Sequence, residues 1–258
     1  MIFQFDSFDA LPLRHAMSQR SPDAPSEGDV GYTRNSNADE ISDNRARFMA
    51  AADIDPAHLT LGRQVHGDRV QLVMAGDRGR GSPPEFDAFP ETDALITRSR
   101  DVALGIFVAD CTPIVLYDPV HHALGVVHAG WRGTVANIAG AAVANMAAEF
   151  GSQAADLFAG IGPSIGPCCY EVGAEVIDAW RSARVDGWEA ARVERCPRPH
   201  FDLWQANRLN LLAAGLDGDR IETAGICTRC AGGCYFSHRA AVAGERAGGR
   251  MIMVAQLT

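Results

Sequence analysis

Much of what this chain cannot be follows from what it lacks. Its eight histidines include no His-x-His pair, so the paired ligands from which a trinuclear copper cluster is built are missing. There is no Walker-type phosphate loop, which removes the commonest backbone cradle for nucleotide phosphates. No internal repeat, low-complexity run or charged linker interrupts the 258 residues, so residues 1–258 read as one domain with a substantial core. No apolar stretch reaches the length of a membrane span, and the opening MIFQFDSFDALPLRH carries acids where a signal peptide needs basic and then apolar residues. A cytoplasmic protein with no membrane partner is expected. Basic residues number 23 against 32 acids, a net charge of -9, which argues against a nucleic-acid partner and requires any anionic substrate to be met locally by arginine. Seven cysteines are an odd number in a chain too large to need disulfide staples, so they are better read as ligands, nucleophiles or core fillers in a reducing compartment.

What is present concentrates in residues 105–133, GIFVADCTPIVLYDPVHHALGVVHAGWRG. Residues 102–108 form an aliphatic, β-branched run that delivers Asp110 and Cys111 at its end, residues 113–117 repeat the pattern, and residues 123–127 deliver His128. The glycines Gly130 and Gly133 that follow allow close approaches a side chain would block. A thiol and an imidazole are thus expected at neighbouring strand ends, where irregular backbone opens onto ligand.

Along the rest of the chain, residues 1–14 offer a first strand and residues 18–31, with Arg20 and Arg34 in or beside them, a loop. Residues 39–52 place Ile41, Arg45, Phe48 and Met49 at helical spacing, and an ion pair is the simplest account of an arginine on that stripe. His66, followed by Gly67, stands between two extended runs in residues 59–73; residues 76–90 are a polar excursion, and residues 92–97 a short strand. Residues 134–150 are the strongest helix, with Thr134 as its cap. A strand at 156–161, a rigid turn at 162–172, a helix at 174–182, a loop through Cys196 and a helix at 203–214 capped by Asp202 follow. A strand at 221–226, a Cys/Gly-rich loop at 227–239 and a last strand at 250–256 complete a mixed α/β sandwich.

A cysteine and two histidines, Cys111, His66 and His128, are a ligand set that suits zinc and leaves a fourth position open for water. The same trio resembles the equatorial set of a copper site. The intervals of 45 (66 to 111) and 17 (111 to 128) match no compact metal motif, so a Cys111 packed as a small hydrophobe beside unrelated histidines competes with the metal reading. Cys111 and His128 also suit a nucleophile and base, the pair of a cysteine hydrolase, with His66 orienting. Cys227-x-x-Cys230, Cys234 and the Cys168-Cys169 pair suggest a structural zinc site or a redox pair, but with a single C-x-x-C ordinary loop thiols are the favoured reading. His121-His122 reads as an exposed turn.

Several segments occur together and in order: Gln64-Val-His66-Gly67, Asp93-Ala-Leu-Ile-Thr97, Ala109-Asp-Cys111-Thr-Pro-Ile, His128-Ala-Gly-Trp-Arg-Gly133, Gly160-Ile-Gly-Pro-Ser-Ile-Gly and Phe236-Ser-His-Arg239. Across nearly its whole length the chain resembles the laccase-domain or YfiH-type proteins, known as polyphenol oxidoreductases and, in better-characterised members, as purine nucleoside phosphorylases with adenosine deaminase activity. Asp43-Asn44-Arg45 matches that family's Glu-Asn-Arg helix, whereas residues 15–20 and 31–35 depart from its N-terminal pattern. The resemblance implies an α/β/β/α layered sandwich, shared with cytotoxic necrotising factor catalytic domains, and a zinc ion held by His66, Cys111 and His128. It further implies a zinc-dependent phosphorylase for adenosine, inosine and S-methyl-5'-thioadenosine with adenosine deaminase side activity, its partners being purine nucleosides and phosphate. Cys111, His128, His66 and Asp110 are then the catalytic candidates, with Asp110 favouring departure of the base and Arg45 and Arg132 holding phosphate. A copper-dependent polyphenol oxidase ranks lower, and a monomer or weak homo-oligomer is expected.

Overall fold

The computed structural model describes residues 2–32, 37–82, 87–195 and 197–258; Arg34 and Cys196 lie outside them. Thirteen strands and six α-helices are described: β1 (Ile2–Phe3), β2 (Leu13–Ser18), α1 (Ala38–Ala51), β3 (Leu59–Leu61), β4 (Val70–Leu72), β5 (Ala94–Thr97), β6 (Ala103–Val108), β7 (Thr112–Asp118), β8 (Ala123–Ala129), α2 (Trp131–Val135), α3 (Ile138–Phe150), β9 (Phe158–Ile161), α4 (Ala174–Ser182), β10 (Arg192–Val193), β11 (His200–Phe201), α5 (Leu203–Ala213), β12 (Ile221–Thr223), α6 (His238–Val242) and β13 (Met251–Leu257).

Two sheets carry the layers, one in the order β1-β2-β13-β6-β3 and one in the order β12-β9-β7-β8-β5-β4. β7 reads as a nearly unbroken apolar run because both of its faces are covered. Val115 and Tyr117 turn to the core between the sheets, where they meet Leu104, Ile106, Met251 and Met253, and Ile114 and Leu116 turn the other way, toward α3 and α5. On the far side, Phe48 and Met49 of α1 cover Leu59, Ile252 and Val254 of the five-stranded sheet. The order is therefore helix, sheet, sheet, helix, as the family resemblance implies. Fully burying a Leu-, Met- or Phe-sized side chain is worth about 1.5–3 kcal/mol, so these three apolar layers dominate the stability.

Some expected bounds shift. The first strand divides into β1 and β2 around a short 3-10 turn at Asp6–Phe8. The helix expected at 134–150 divides at Asn137, whose φ of 61° breaks the helix and whose side chain caps α3 through the Gly140 amide. Thr134 is instead buried in α2, its hydroxyl and carbonyl taking hydrogen bonds from Asn207 and Asn210 of α5. β8 runs on through His128 to Ala129, and β12 stops at Thr223. Asp202 caps α5 through the Gln205 amide. Among the described residues no helix is long and apolar enough to cross a membrane.

Candidate active site

Strand register brings the candidate residues together. β7 and β8 pair with Thr112 opposite Ala129 and Pro113 opposite His128, so Cys111, one residue before β7, arrives beside the turn that follows β8. On the other flank β5 pairs with β8, Ala94 opposite Val127. One residue back, Asp93 faces His128, whose amide donates to the Asp93 carbonyl at 2.8 Å.

The Asp93 side chain assembles the rest. It is fully buried and accepts from His128 Nδ1 at 2.8 Å and from the amides of Val65, His66 and Gly67 at 3.0, 2.9 and 2.9 Å. One carboxylate thus orients the imidazole of His128, leaving its Nε2 as the available ligand atom, and folds the His66 loop over it. The loop holds His66 in the left-handed region, φ 64°, a conformation that persists only where surrounding contacts impose it. The ligand atoms of His66, Cys111 and His128 all lie within 4.8 Å of one another. Gly130 closes against them: a Cβ there would stand 2.9 Å from His66 Cδ2 and 3.0 Å from Cys111 Sγ.

The electrostatics suit a cation. Burial pushes the Cys111 thiol up, but His128 beside it and hydrogen bonds from both histidines outweigh burial and bring it down to about 6. Burial likewise opposes charge on His128, yet Cys111 and Asp93 raise it to about 9. Asp93 stays below its ordinary value, because the His128 and amide hydrogen bonds overcome its desolvation. A deprotonable thiol, two imidazoles and a carboxylate behind one of them form a borderline-soft donor set that fits zinc.

These groups line one wall of a cavity of about 440 Å³. Opposite and around them stand Phe107, Asp110, Trp131, Arg132, Tyr170, His238, Arg239 and Arg250. Every one of the 23 basic residues in the chain is arginine, so anions here meet guanidinium forks. Arg132 is exposed and stacks on Trp131, its Cζ 4.3 Å from the ring centroid. Arg239 lies over Tyr170 at 4.9 Å and donates to the Glu171 carbonyl at 2.8 Å. Burial and the neighbouring Cys111 push the Tyr170 phenol up to about 12, so it remains a neutral hydrogen-bond donor.

Asp110, φ 84°, is buried at the cavity edge. Its carboxylate accepts from Thr228 Oγ1 at 2.6 Å, Ser237 Oγ at 3.0 Å and the Arg239 amide at 2.8 Å, which fastens the loop bearing Arg239 to the cavity. Arg45 lies behind the wall: it is buried, stacks on Tyr32 and Phe107 and donates to the Val30 carbonyl at 2.7 Å. Asp93, Tyr170, His238, Arg239 and Arg250 were not singled out from the sequence as site residues. For Asp93 and Arg239 a signal existed, since both stand in the ordered segments that carry the family resemblance. The loop cysteines are not scattered either: Cys168, Cys169, Cys227 and Cys230 converge within 4.8 Å, while Cys234 packs on the core between the sheets.

The chain is similar to known proteins along most of its length. Over 200 residues the chain is 36% identical to purine nucleoside phosphorylase YlmD of Bacillus subtilis, covering 78% of this chain and 72% of that protein. It is 36% identical over 200 residues to adenosine deaminase RL5 from an unknown prokaryotic organism, covering 77% of this chain and 76% of that one. The crystal structure of the hypothetical protein YfiH of Bacillus licheniformis superposes with a TM-score of 0.91 at 30% identity, covering 100% of this chain and 96% of that one. The model of the multi-copper polyphenol oxidoreductase laccase family matches residues 14–258, a segment that includes every residue of the cavity wall, and the chain belongs to that family.

Proposed function

We propose that the chain is a zinc-dependent purine nucleoside phosphorylase acting on adenosine, inosine and S-methyl-5'-thioadenosine, with adenosine deaminase side activity. The observation that carries this reading is the placement of a His66, Cys111 and His128 ligand set in the wall of an arginine-rimmed cavity of about 440 Å³. Such a volume is of the size that takes a small organic ligand. The names of the relatives, purine nucleoside phosphorylase and adenosine deaminase, support the same substrate class.

Zinc bound there would supply Lewis acidity and make water a better nucleophile near neutral pH. The remaining work falls to the chain. Arg132, free of any carboxylate partner among the described residues, grips phosphate by its planar fork. Phosphate oxygen forms the new bond to the anomeric carbon as the bond from that carbon to the purine nitrogen breaks, and the purine leaves with the bonding pair. Trp131, Phe107 and Tyr170 offer faces and an edge for the base. We assign Asp110 to the hydrogen bonding that eases departure of the base, in addition to its hold on the Arg239 loop, and Arg45 to phosphate binding through the position of Phe107. In deamination water takes the place of phosphate and attacks the purine ring, displacing ammonia. Residues 1–258 act as one catalytic unit in the cytoplasm, as a monomer or weak homo-oligomer.

The family's copper name raises a second reading, oxidation of phenols. Among the described residues only one ligand group contains histidine, whereas a multicopper cluster needs several more. A cysteine hydrolase is less suited, because the Cys111 sulfur faces two imidazoles at once, an arrangement for coordination rather than attack. The deciding experiment offers zinc-loaded protein adenosine with and without phosphate. Adenine and ribose 1-phosphate are expected with phosphate, and at most slow formation of inosine without it. Phenol oxidation by copper-loaded protein at rates well above nucleoside turnover, with zinc-loaded protein cleaving no nucleoside, would replace the phosphorylase reading by the oxidase one.

A further inference from the structure

Away from His66, Cys111 and His128, two turns face each other with four cysteines between them. Cys168 and Cys169 belong to the turn before α4; Cys227 and Cys230 belong to the turn after β12. Cys168 Sγ and Cys169 Sγ lie 3.5 and 3.3 Å from Cys230 Sγ, and all four sulfurs fall within 4.8 Å. In a tetrahedral zinc tetrathiolate with Zn–S bonds of about 2.3 Å the sulfurs are about 3.8 Å apart, so the separations need change by about 1 Å at most to take up the metal. A disulfide needs contraction to about 2.05 Å and would use only two of the four. We propose that Cys168, Cys169, Cys227 and Cys230 form a second metal site, a structural zinc tetrathiolate that clamps the two turns together.

The chain around the four sulfurs is shaped for close approach. Gly166 lets the turns meet: a Cβ there would stand 3.1 Å from Cys227 Cβ and 2.5 Å from the Trp204 ring. Four thiolates around a dication leave a net negative charge, and Arg229, between the two C-x-x-C ligands and paired with Glu245, places a guanidinium in the same turn. With all four positions filled by protein the site has no place for substrate, which is the mark of a structural zinc. Tetrahedral sulfur sites also take iron, so metal analysis decides between them.

The clamp reaches the active site through its neighbours. Tyr170 follows Cys169 directly and lines the cavity. Thr228, between Cys227 and Cys230, donates to Asp110 at 2.6 Å, and Asp110 holds the Arg239 amide. Zinc in the tetrathiolate therefore fixes the wall that carries Tyr170 and Arg239.

Metal analysis of the full chain purified under reducing conditions without added metal should find two zinc per chain. Cys111→Ser should keep one, and Cys168→Ser/Cys230→Ser, which changes two exposed residues and leaves the buried Cys227 in place, should keep the other. Hydrogen exchange should accelerate at least tenfold at residues 166–172 and 226–240 in the double variant and stay unchanged around His66. One zinc per chain, abolished by Cys111→Ser, would overturn the site, as would iron in place of zinc, a disulfide among the four, or all four thiols reacting freely in folded wild type. Unchanged exchange in the two turns would overturn the clamp.

Discussion

Asp93 and His128 are joined by a buried hydrogen bond of 2.8 Å between Oδ1 and Nδ1, and the same carboxylate takes the amides of the His66 loop. All four of these bonds need an acceptor, and an asparagine offers only one oxygen, so its NH2 would face donors. Asp93→Asn should weaken zinc binding by about 10–100-fold, the usual cost of losing a carboxylate behind a ligand histidine. Competition with a chelator of known affinity measures this; an unchanged affinity would show that Asp93 does not organise the ligands.

Among the described residues Gly130 is the one whose missing side chain makes room for two of the candidate ligands at once, His66 and Cys111. Gly130→Ala should lower zinc occupancy at this site several-fold while the circular dichroism spectrum stays that of wild type. Full occupancy would mean that the His66 loop yields freely and that close packing does not set the ligand spacing.

The charge states of Cys111 and His128 set the pH dependence of metal uptake. His128 is raised from 6.5 to about 9, so its contribution to the stability of the metal-free fold is complete below about 6.5 and is lost as pH rises through about 9. Cys111 is depressed from 9.0 to about 6, so its contribution is present above about 9 and is lost as pH falls through about 6. Between about 6 and 9 the pair holds one proton, on the imidazole. Zinc binding at about pH 7.5 should displace that single proton from the pair, and affinity should rise roughly tenfold per pH unit up to about 9. Calorimetry of Cys168→Ser/Cys230→Ser in buffers of different ionisation enthalpy counts the protons. Two from the pair would mean that Cys111 enters as a neutral thiol.

The two arginines should separate by phenotype. Arg132 is exposed at the cavity rim, so Arg132→Ala should raise the KM for phosphate by about tenfold or more, the scale of a charge-assisted hydrogen bond, with no loss of Tm. Arg45 is buried against Tyr32 and Phe107, and Arg45→Ala should cost about 2 kcal/mol of stability together with a smaller rise in that KM. A phosphate KM unchanged in both variants would remove arginine from phosphate binding.

The strands of the central region were legible because β6, β7 and β8 are short apolar runs bounded by reactive or turn residues, and α4 was legible because its stripe repeats at the helical period. The division of the helix at Asn137 was not, because an alanine-rich stretch satisfies the helical pattern on both sides of a residue that adopts a left-handed φ and caps α3 through the Gly140 amide. The spacing puts Arg45 on a buried stripe and it is buried; its packing on the rings of Tyr32 and Phe107 is a contact that spacing does not reveal.

By itself the sequence determined the residue types available for chemistry, the short-range order of strands and helices, and, through its ordered segments, membership of the laccase family. Local periodicity carries that information because side chains three or four apart on a helix, or two apart on a strand, share a face. Only the tertiary structure decided that Asp93 serves His66 and His128 together, that Asp110 ties down the loop of Arg239, and that Cys168 and Cys169 meet Cys227 and Cys230. Those partners stand 27 to 129 residues apart, and it is strand register and the meeting of two turns, neither of which leaves a periodic trace in the chain, that bring them within bonding distance.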